Sequence, residues 1–303
     1  MTTKNTHPDG PKVPIFRAMD KTIGSHWEET MIDTSRTILG PLNARLVSQM
    51  GLGAETHEPI AFLDSACGAG PATQELYKAV PRQVFQKSEI VCGDESPMMV
   101  DLVKKRIKNE QWAGAQGRVI DATDSGLESD SFTHVVISLG LHVIPRPDTV
   151  IKDVVRILRP GGVFGCVTPH ADHTSWVVDM RTAFASLPFE APFPEKNWSQ
   201  VHKVGRWYDE AWVRTYLLEN GFCAVEVRVE RGTMPIRNAK HWLDIFGPAT
   251  AYLLNIEWSE ELRAAHGLEE VKALIGQHLE DKYGGKGWEM GYACIVASGV
   301  VRK

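Results

Sequence analysis

The sequence predicts an α/β chain in which a parallel sheet is doubly wound, with helices on both faces. Three observations predict it. Short apolar runs alternate with helix-period segments from about residue 60 to residue 169. The first run leads straight into a Gly-x-Gly turn and a helix start, in "AFLDSACGAGPATQEL" (61–76). A sharp break at Arg159-Pro160-Gly161-Gly162 precedes another apolar run, "VFGCVTP". Parallel strands need such crossovers, and the crossover helices cover the sheet.

The elements follow in order. Residues 1–14 are polar and Pro-rich, a segment expected to fray. From Phe16 to Met50 the residues Trp27, Met31, Ile38, Leu42 and Leu46 recur at helical spacing, until "GLGAETHEP" breaks the pattern. Strands are expected at 60–63, 89–92, 118–120, 132–139 and 163–169, with helices at 72–80, 97–109 and 149–158 between them. Beyond Pro169 the alternation stops and an irregular, aromatic-rich cover begins. A helix at 209–220, a strand in "AVEVRVE", two or three helices over 238–283 and a closing strand in "YACIVASGVV" complete the chain.

Bulk properties exclude several classes. Hydrophobic residues make up 43% and charged residues 23%, an ordinary globular composition. The net charge of −5 carries no basic run, which disfavours nucleic acid or an anionic membrane as partner. No apolar run approaches the roughly 18 residues of a spanning helix. The five cysteines form no C-x-x-C pair, so a reducing, cytoplasmic setting is expected, without disulfides or a zinc site.

The glycine turn places backbone against a ligand beside a helix N-terminus, and Gly68 and Gly70 leave room there. A dinucleotide fingerprint wants a small residue where Thr73 stands. Asp64, just before the turn, would repel a pyrophosphate but accept a hydrogen bond from an amino group. That favours S-adenosylmethionine over NAD, because its tail is zwitterionic and its sulfur cationic. Asp94 ends the second strand, where an acid suits ribose hydroxyls. Met98 has two readings, a thioether on an adenine face or a core side chain. Asp121 in "VIDATD" either accepts from the adenine amine, with the Ala122 N–H nearby, or caps its own turn.

"LDSACGAGPAT", "VCGDESPMM", "IDATD" and "ISLGLHVIPRPDTVIKDVVRILRPGG" together resemble a class I S-adenosylmethionine-dependent methyltransferase of the ubiquinone/menaquinone C-methyltransferase branch. "CGDESPMMVDLVKKRIKNEQW" is similar to fungal natural-product methyltransferases, among them the gliotoxin dithiol S-methyltransferase and O-methyltransferases of indole-alkaloid pathways. The resemblance covers residues 16–170 well and the rest loosely. It implies a seven-stranded sheet ending in an antiparallel pair. It implies an N-terminal helical segment (1–50) over the cofactor, a core at 51–237 and 285–303, and a helical cap insertion at 238–284. It further implies that Asp64, Ala66, Gly68 and Gly70 hold the methionine tail, Asp94 the ribose, and Met98 and Asp121 the adenine. Ser138 would offer backbone to the amino group, and Trp27 would lie over the tail. Ala66 departs from the pattern, because many members carry Gly there.

Methyl transfer needs a positioned acceptor, exclusion of water and, for a hydroxyl, a base. His142 lies just past the fourth strand; His170 and His173 lie just past the fifth, in "TPHADHTSW". These strand ends are where α/β sites open. His142 is the first choice of base and His170 the second. His173, Trp176, His241 and Trp242 are expected to line the acceptor site, although His241 and Asp244, three residues apart, also read as a surface pair. Many aromatics in covering segments suit a large flat acceptor. No metal-ligand spacing appears. The expectation is a methyltransferase acting on an aromatic or polycyclic natural product, at oxygen by a narrow margin over sulfur or nitrogen, releasing S-adenosylhomocysteine. A regulator of the same fold without turnover is the alternative outside enzymes. The oligomeric state is open.

Overall fold

A computed structural model describes residues 26–171, 175–194 and 204–303. His173 and Trp198 lie outside these residues, as does Phe16. Seven strands form one sheet in the order β3-β2-β1-β4-β5-β7-β6. These are β1 (Ala61–Ser65), β2 (Glu89–Asp94), β3 (Ala115–Val119), β4 (Phe132–Ser138), β5 (Leu158–Pro169), β6 (Phe222–Ile236) and β7 (Trp288–Val301). The first five are parallel, and β7 runs antiparallel to both β5 and β6. The seven-stranded, mostly parallel sheet is therefore present.

The alternating face pattern builds two cores. Val135, Ile137, Phe164 and Cys166 pack against α5 (Pro147–Ile157) and α7 (Glu210–Glu219) through Val154, Val213 and Leu217. Phe62, Val136, Val167 and Val296 on the other face pack against α2 (Gly40–Gln49) and α3 (Pro71–Ala79) through Leu42, Leu46 and Leu76. Each apolar stripe finds its facing layer, which is what doubly wound sheets require.

Several boundaries differ from the sequence reading. The third strand is Ala115–Val119, earlier than 118–120. Its exposed edge position leaves it little apolar signal. The Arg159–Gly162 break lies inside β5, where Gly161 takes φ +74° and the register with β4 shifts. The expected single N-terminal helix is α1 (Trp27–Thr34), a π-helical turn (Ser35–Leu39) and α2.

β6 and β7 overshoot the sheet. β5 ends at Pro169 opposite Cys294, whereas the β6–β7 ladder runs on to Ile236 opposite Trp288. This two-stranded ribbon extends about 20 Å beyond the carboxyl edge of β5, at roughly 3.3 Å per residue. Between its strands lie α8 (Ala239–Glu257), α9 (Glu260–Ala265) and α10 (Leu268–Tyr283). They share a third apolar cluster with α6 (Ser175–Ala185), built from Met180, Phe184, Trp242, Trp258, Val271 and Leu279 and closed by Met234 and Met290 of the ribbon.

Candidate active site

The loop between β1 and α3 holds three left-handed residues in alternation: Ala66 at φ +52°, Gly68 at +51° and Gly70 at +77°. Gly70 is needed twice over, because a Cβ there would also meet Val103 at 3.1 Å and Trp112 at 3.3 Å. Gly68 is different. Nothing lies within 4 Å of where its Cβ would sit, so open space fronts the loop. Ala66 reaches the same dihedral without glycine's freedom, at a local cost of about 1–2 kcal/mol.

Two carboxylates stand behind and beside this loop. Asp94 Oδ2 accepts the Gly68 N–H (2.8 Å) and Oδ1 accepts the Ser96 N–H (2.9 Å). It ties the loop to the start of α4 (Pro97–Asn109). Burial raises its pKa, opposed by those two backbone bonds. Each oxygen keeps lone-pair capacity for a further donor.

Asp64 corrects the sequence reading. It is 1% exposed, and its Oδ2 accepts both the Thr73 N–H (3.1 Å) and the Thr73 hydroxyl (2.8 Å). Thr73, which breaks the dinucleotide fingerprint, is thus the carboxylate's partner. Asp64 is turned under the loop towards α3. Burial pushes its pKa up to about 7, with Asp94 adding to the rise and Thr73 and Arg106 opposing it.

Trp27 and Met98 come together. With Met31 and Ile32 they pack around Ala69, Met99 and Leu102, so α1 lies against the loop. Asp121, at the end of β3, is exposed and closes its own turn: Oδ1 accepts the Thr123 N–H (2.8 Å) and hydroxyl (2.7 Å). The turn-capping reading describes that oxygen, and Ala122 packs at the edge of the sheet core. Ser138 ends β4, and its Oγ is buried with no hydrogen-bond partner among the described residues.

The histidines separate. His142 Nδ1 is likewise buried without a partner, and desolvation lowers the pKa to about 4. A ring held neutral at that pKa is a weak base, which corrects its rank as first choice. His170 is 5% exposed at the end of β5, and its Nε2 lies 3.0 Å from Glu210 Oε2. Glu210 opens α7, whose N-cap Asp209 accepts the Ala211 and Trp212 N–H groups. A carboxylate on one ring nitrogen fixes tautomer and orientation.

The expected acceptor residues on the cap are mostly occupied elsewhere. Trp242 is fully buried in the cap cluster. His241 does not pair with Asp244. Its Nδ1 accepts the Arg237 N–H (3.1 Å) and its Nε2 lies 3.8 Å from Asp33 of α1, while Asp244 takes Lys240. Trp176 stacks on Phe246 with centroids 5.5 Å apart, and Phe189 stacks on His266 at 3.5 Å. Trp207 belongs to the sheet core beside Trp212 and Tyr216. Aromatic content in covering segments reported self-packing.

Sequence reasoning missed Arg106 and Glu210. Arg106 was detectable: it falls on the buried stripe of α4 with Met99, Leu102 and Val103, where a charged residue demands partners. Among the described residues no group of three or more His, Cys, Asp or Glu is placed to hold a metal ion, and no helix is long and apolar enough to cross a membrane.

The residues present fit S-adenosylmethionine: an open cradle at Gly68, the Asp94 carboxylate beside it, an orphaned Ser138 hydroxyl, and Trp27 and Met98 against the loop. Comparison with known proteins points the same way. Residues 63–166 match the family model described as a methyltransferase domain. Methyltransferase tpcH of Aspergillus fumigatus is 27% identical over 257 residues, covering 84% of this chain and 89% of that protein. The acetylaranotin bis-thiomethyltransferase of Aspergillus terreus is 28% identical over 247 residues, covering 82% of this chain and 84% of that protein. Among solved structures, the phosphoethanolamine N-methyltransferase 2 of Haemonchus contortus shares the fold with a TM-score of 0.52 at 14% identity, over 96% of this chain and 61% of that chain.

Proposed function

We propose that this chain, a class I S-adenosylmethionine-dependent methyltransferase of the fungal secondary-metabolism type, methylates a hydroxyl or N-hydroxyl oxygen of an aromatic or polycyclic natural product, an indole alkaloid being one such ring system. The observation that carries the oxygen reading is the His170–Glu210 pair at the end of β5, 3.0 Å apart. When bound, the cofactor supplies an electrophilic methyl on a sulfonium. The chain's own work is to hold the loop, exclude water beneath α1 and the cap, and take the acceptor's proton.

His170 is suited to that last task because Glu210, 3.0 Å from Nε2, holds the ring in one orientation at the carboxyl end of β5. His142 is not suited to it, because burial keeps its ring neutral down to about pH 4. The five free cysteines support a cytoplasmic setting. A small-molecule acceptor is supported by the net charge of −5 without a basic run.

The test has two parts. Calorimetry should show binding of S-adenosylhomocysteine and none of NADH. With an acceptor in hand, His170→Ala should lower kcat by about 10²–10⁴, the usual contribution of a general base, while S-adenosylhomocysteine affinity stays within a few-fold. A second reading is transfer to sulfur, favoured by the bis-thiomethyltransferase among the relatives. A thiol ionises close to neutrality and needs less help. If His170→Ala loses less than about tenfold, proximity drives transfer and the sulfur reading wins.

A further inference from the structure

Arg106 is 2% exposed and spends its whole guanidinium on the ground behind the glycine loop. Nη1 donates to the Ala69 carbonyl (2.5 Å) and to Ser35 Oγ (3.4 Å). Nη2 donates to Gln74 Oε1 (2.5 Å). Nε donates to Glu110 Oε1 (2.7 Å), and that same oxygen accepts from Arg36 (3.2 Å).

Three of these contacts reach beyond α4, and two of them bear on the cofactor site. Ala69 is the residue between Gly68 and Gly70, both left-handed, so its carbonyl sits between two positions that only glycine holds without strain. Ser35 opens the π-helical turn that joins α1 to α2, and Arg36 follows it. One Arg106–Glu110 pair, its guanidinium buried and its carboxylate partly so, therefore grips both the loop and the turn. A buried ion pair is weak evidence for stability, since apolar replacements are often neutral. Its planar fork, by contrast, fixes the geometry of every acceptor it meets. α1 has no buried residue, so packing alone holds it weakly, yet its Trp27, Met31 and Ile32 lie against Ala69.

We propose that Arg106 is a positioning residue for cofactor binding, setting the glycine loop and the hinge of the N-terminal segment in their binding geometry together. The proposal rests on the cofactor reading above. Lysine cannot reproduce the fork, so Arg106→Lys weakens S-adenosylhomocysteine binding by about tenfold or more, the scale of lost bonds to a charged group. Hydrogen exchange supplies the readout that a merely structural residue would not move. In the wild type, S-adenosylhomocysteine protects residues 27–39. In Ser35→Ala, which leaves the other Arg106 bonds in place, that protection shrinks while the melting temperature of the free protein stays within about a degree.

The experiment is calorimetry and hydrogen exchange on wild type, Arg106→Lys and Ser35→Ala, each with and without S-adenosylhomocysteine. Weakened binding in Arg106→Lys with reduced protection in Ser35→Ala supports the proposal. Wild type that binds, with Arg106→Lys binding within twofold or Ser35→Ala fully protected, overturns it and leaves the cofactor reading standing. Wild type that does not bind overturns both. Should Arg106→Lys fail to fold, Ser35→Ala alone decides.

Discussion

The glycine loop on β1 and the helical cap on the β6–β7 ribbon sit at the same edge of the sheet but are built from different materials. Around the loop, charge and backbone do the work: Asp64, Asp94 and Arg106 are nearly out of water and hold N–H groups, a hydroxyl and a carbonyl. On the cap, rings pack on rings, as with Trp176 on Phe246 and Tyr283 on Trp288 at 4.0 Å. Loop geometry is thus set by directional bonds that tolerate few replacements. Cap geometry is set by volume, which tolerates many. The glycine loop and the helical segment should therefore fail separately and by different chemistry.

The largest test of that separation is Trp242→Ala. Removing a fully buried ring from the cap costs about 3–5 kcal/mol, and towards the lower end here because its unpartnered indole N–H goes with it. Thermal melts should show that loss, while calorimetry at low temperature shows S-adenosylhomocysteine affinity within a few-fold of wild type. Trp242→Phe should recover most of the stability. If affinity collapses along with stability in the Phe variant too, the two regions are one unit and the contrast fails.

The second test uses pH. Asp64 holds its proton up to about pH 7 in the folded chain, against 3.8 ordinarily. Between those values the folded state binds the extra proton, so stability falls as pH rises, by about 4 kcal/mol in all. His142 runs the other way. Its ring is neutral in the folded chain down to about pH 4 against 6.5 ordinarily, so it removes about 3 kcal/mol as pH falls through that window. The two nearly cancel in the wild type between pH 4 and 6.5. Denaturant melts of Asp64→Asn should remove the first slope and leave stability rising with pH. His142→Gln should do the reverse. A cap variant such as Trp242→Phe should leave the pH profile unchanged.

What was legible in the sequence follows the same divide. The strand–turn–helix with Gly68 and Gly70 was readable because glycine at a left-handed position has a single physical cause. Asp94 was readable because a strand end fixes where its side chain emerges. The partner of Asp64 was not. Thr73 looked like a departure from a fingerprint, and only the fold shows it donating to a carboxylate nine residues earlier. Aromatic rings on the cap carried no sign of which way they face. The overshoot of β6 and β7 was hidden as well, since ladder partners more than fifty residues apart leave no local period.

Asp94→Ala is a smaller blow, aimed at the cofactor end alone. It removes the acceptor of the Gly68 and Ser96 N–H groups and the carboxylate beside the loop, so S-adenosylhomocysteine should bind about 1.5–3 kcal/mol more weakly. Asp94→Asn should lose less, because an amide oxygen still accepts one N–H. Equal binding in all three proteins would mean that the loop's bonds serve folding only.

The smallest effect separates backbone from side chain inside the loop itself. Ala66 sits at φ +52° and Gly68 at +51°. Ala66→Gly relieves about 1–2 kcal/mol of steric cost. It gives back about 0.5–1 kcal/mol as extra freedom of the unfolded chain. The net is a gain of about 0.5–1 kcal/mol, or roughly 1–3 °C in melting temperature for a chain of this size. The methyl that is lost is half-buried and lies where a Cβ added at Gly140 would come within 3.3 Å of it. Gly68→Ala is the mirror experiment: same dihedral, open space, and so a cost of similar size from the backbone alone. If the pair moves stability in opposite directions by matching amounts, dihedral strain sets the loop. A loss in Ala66→Gly would mean that the alanine methyl holds the loop against the end of β4.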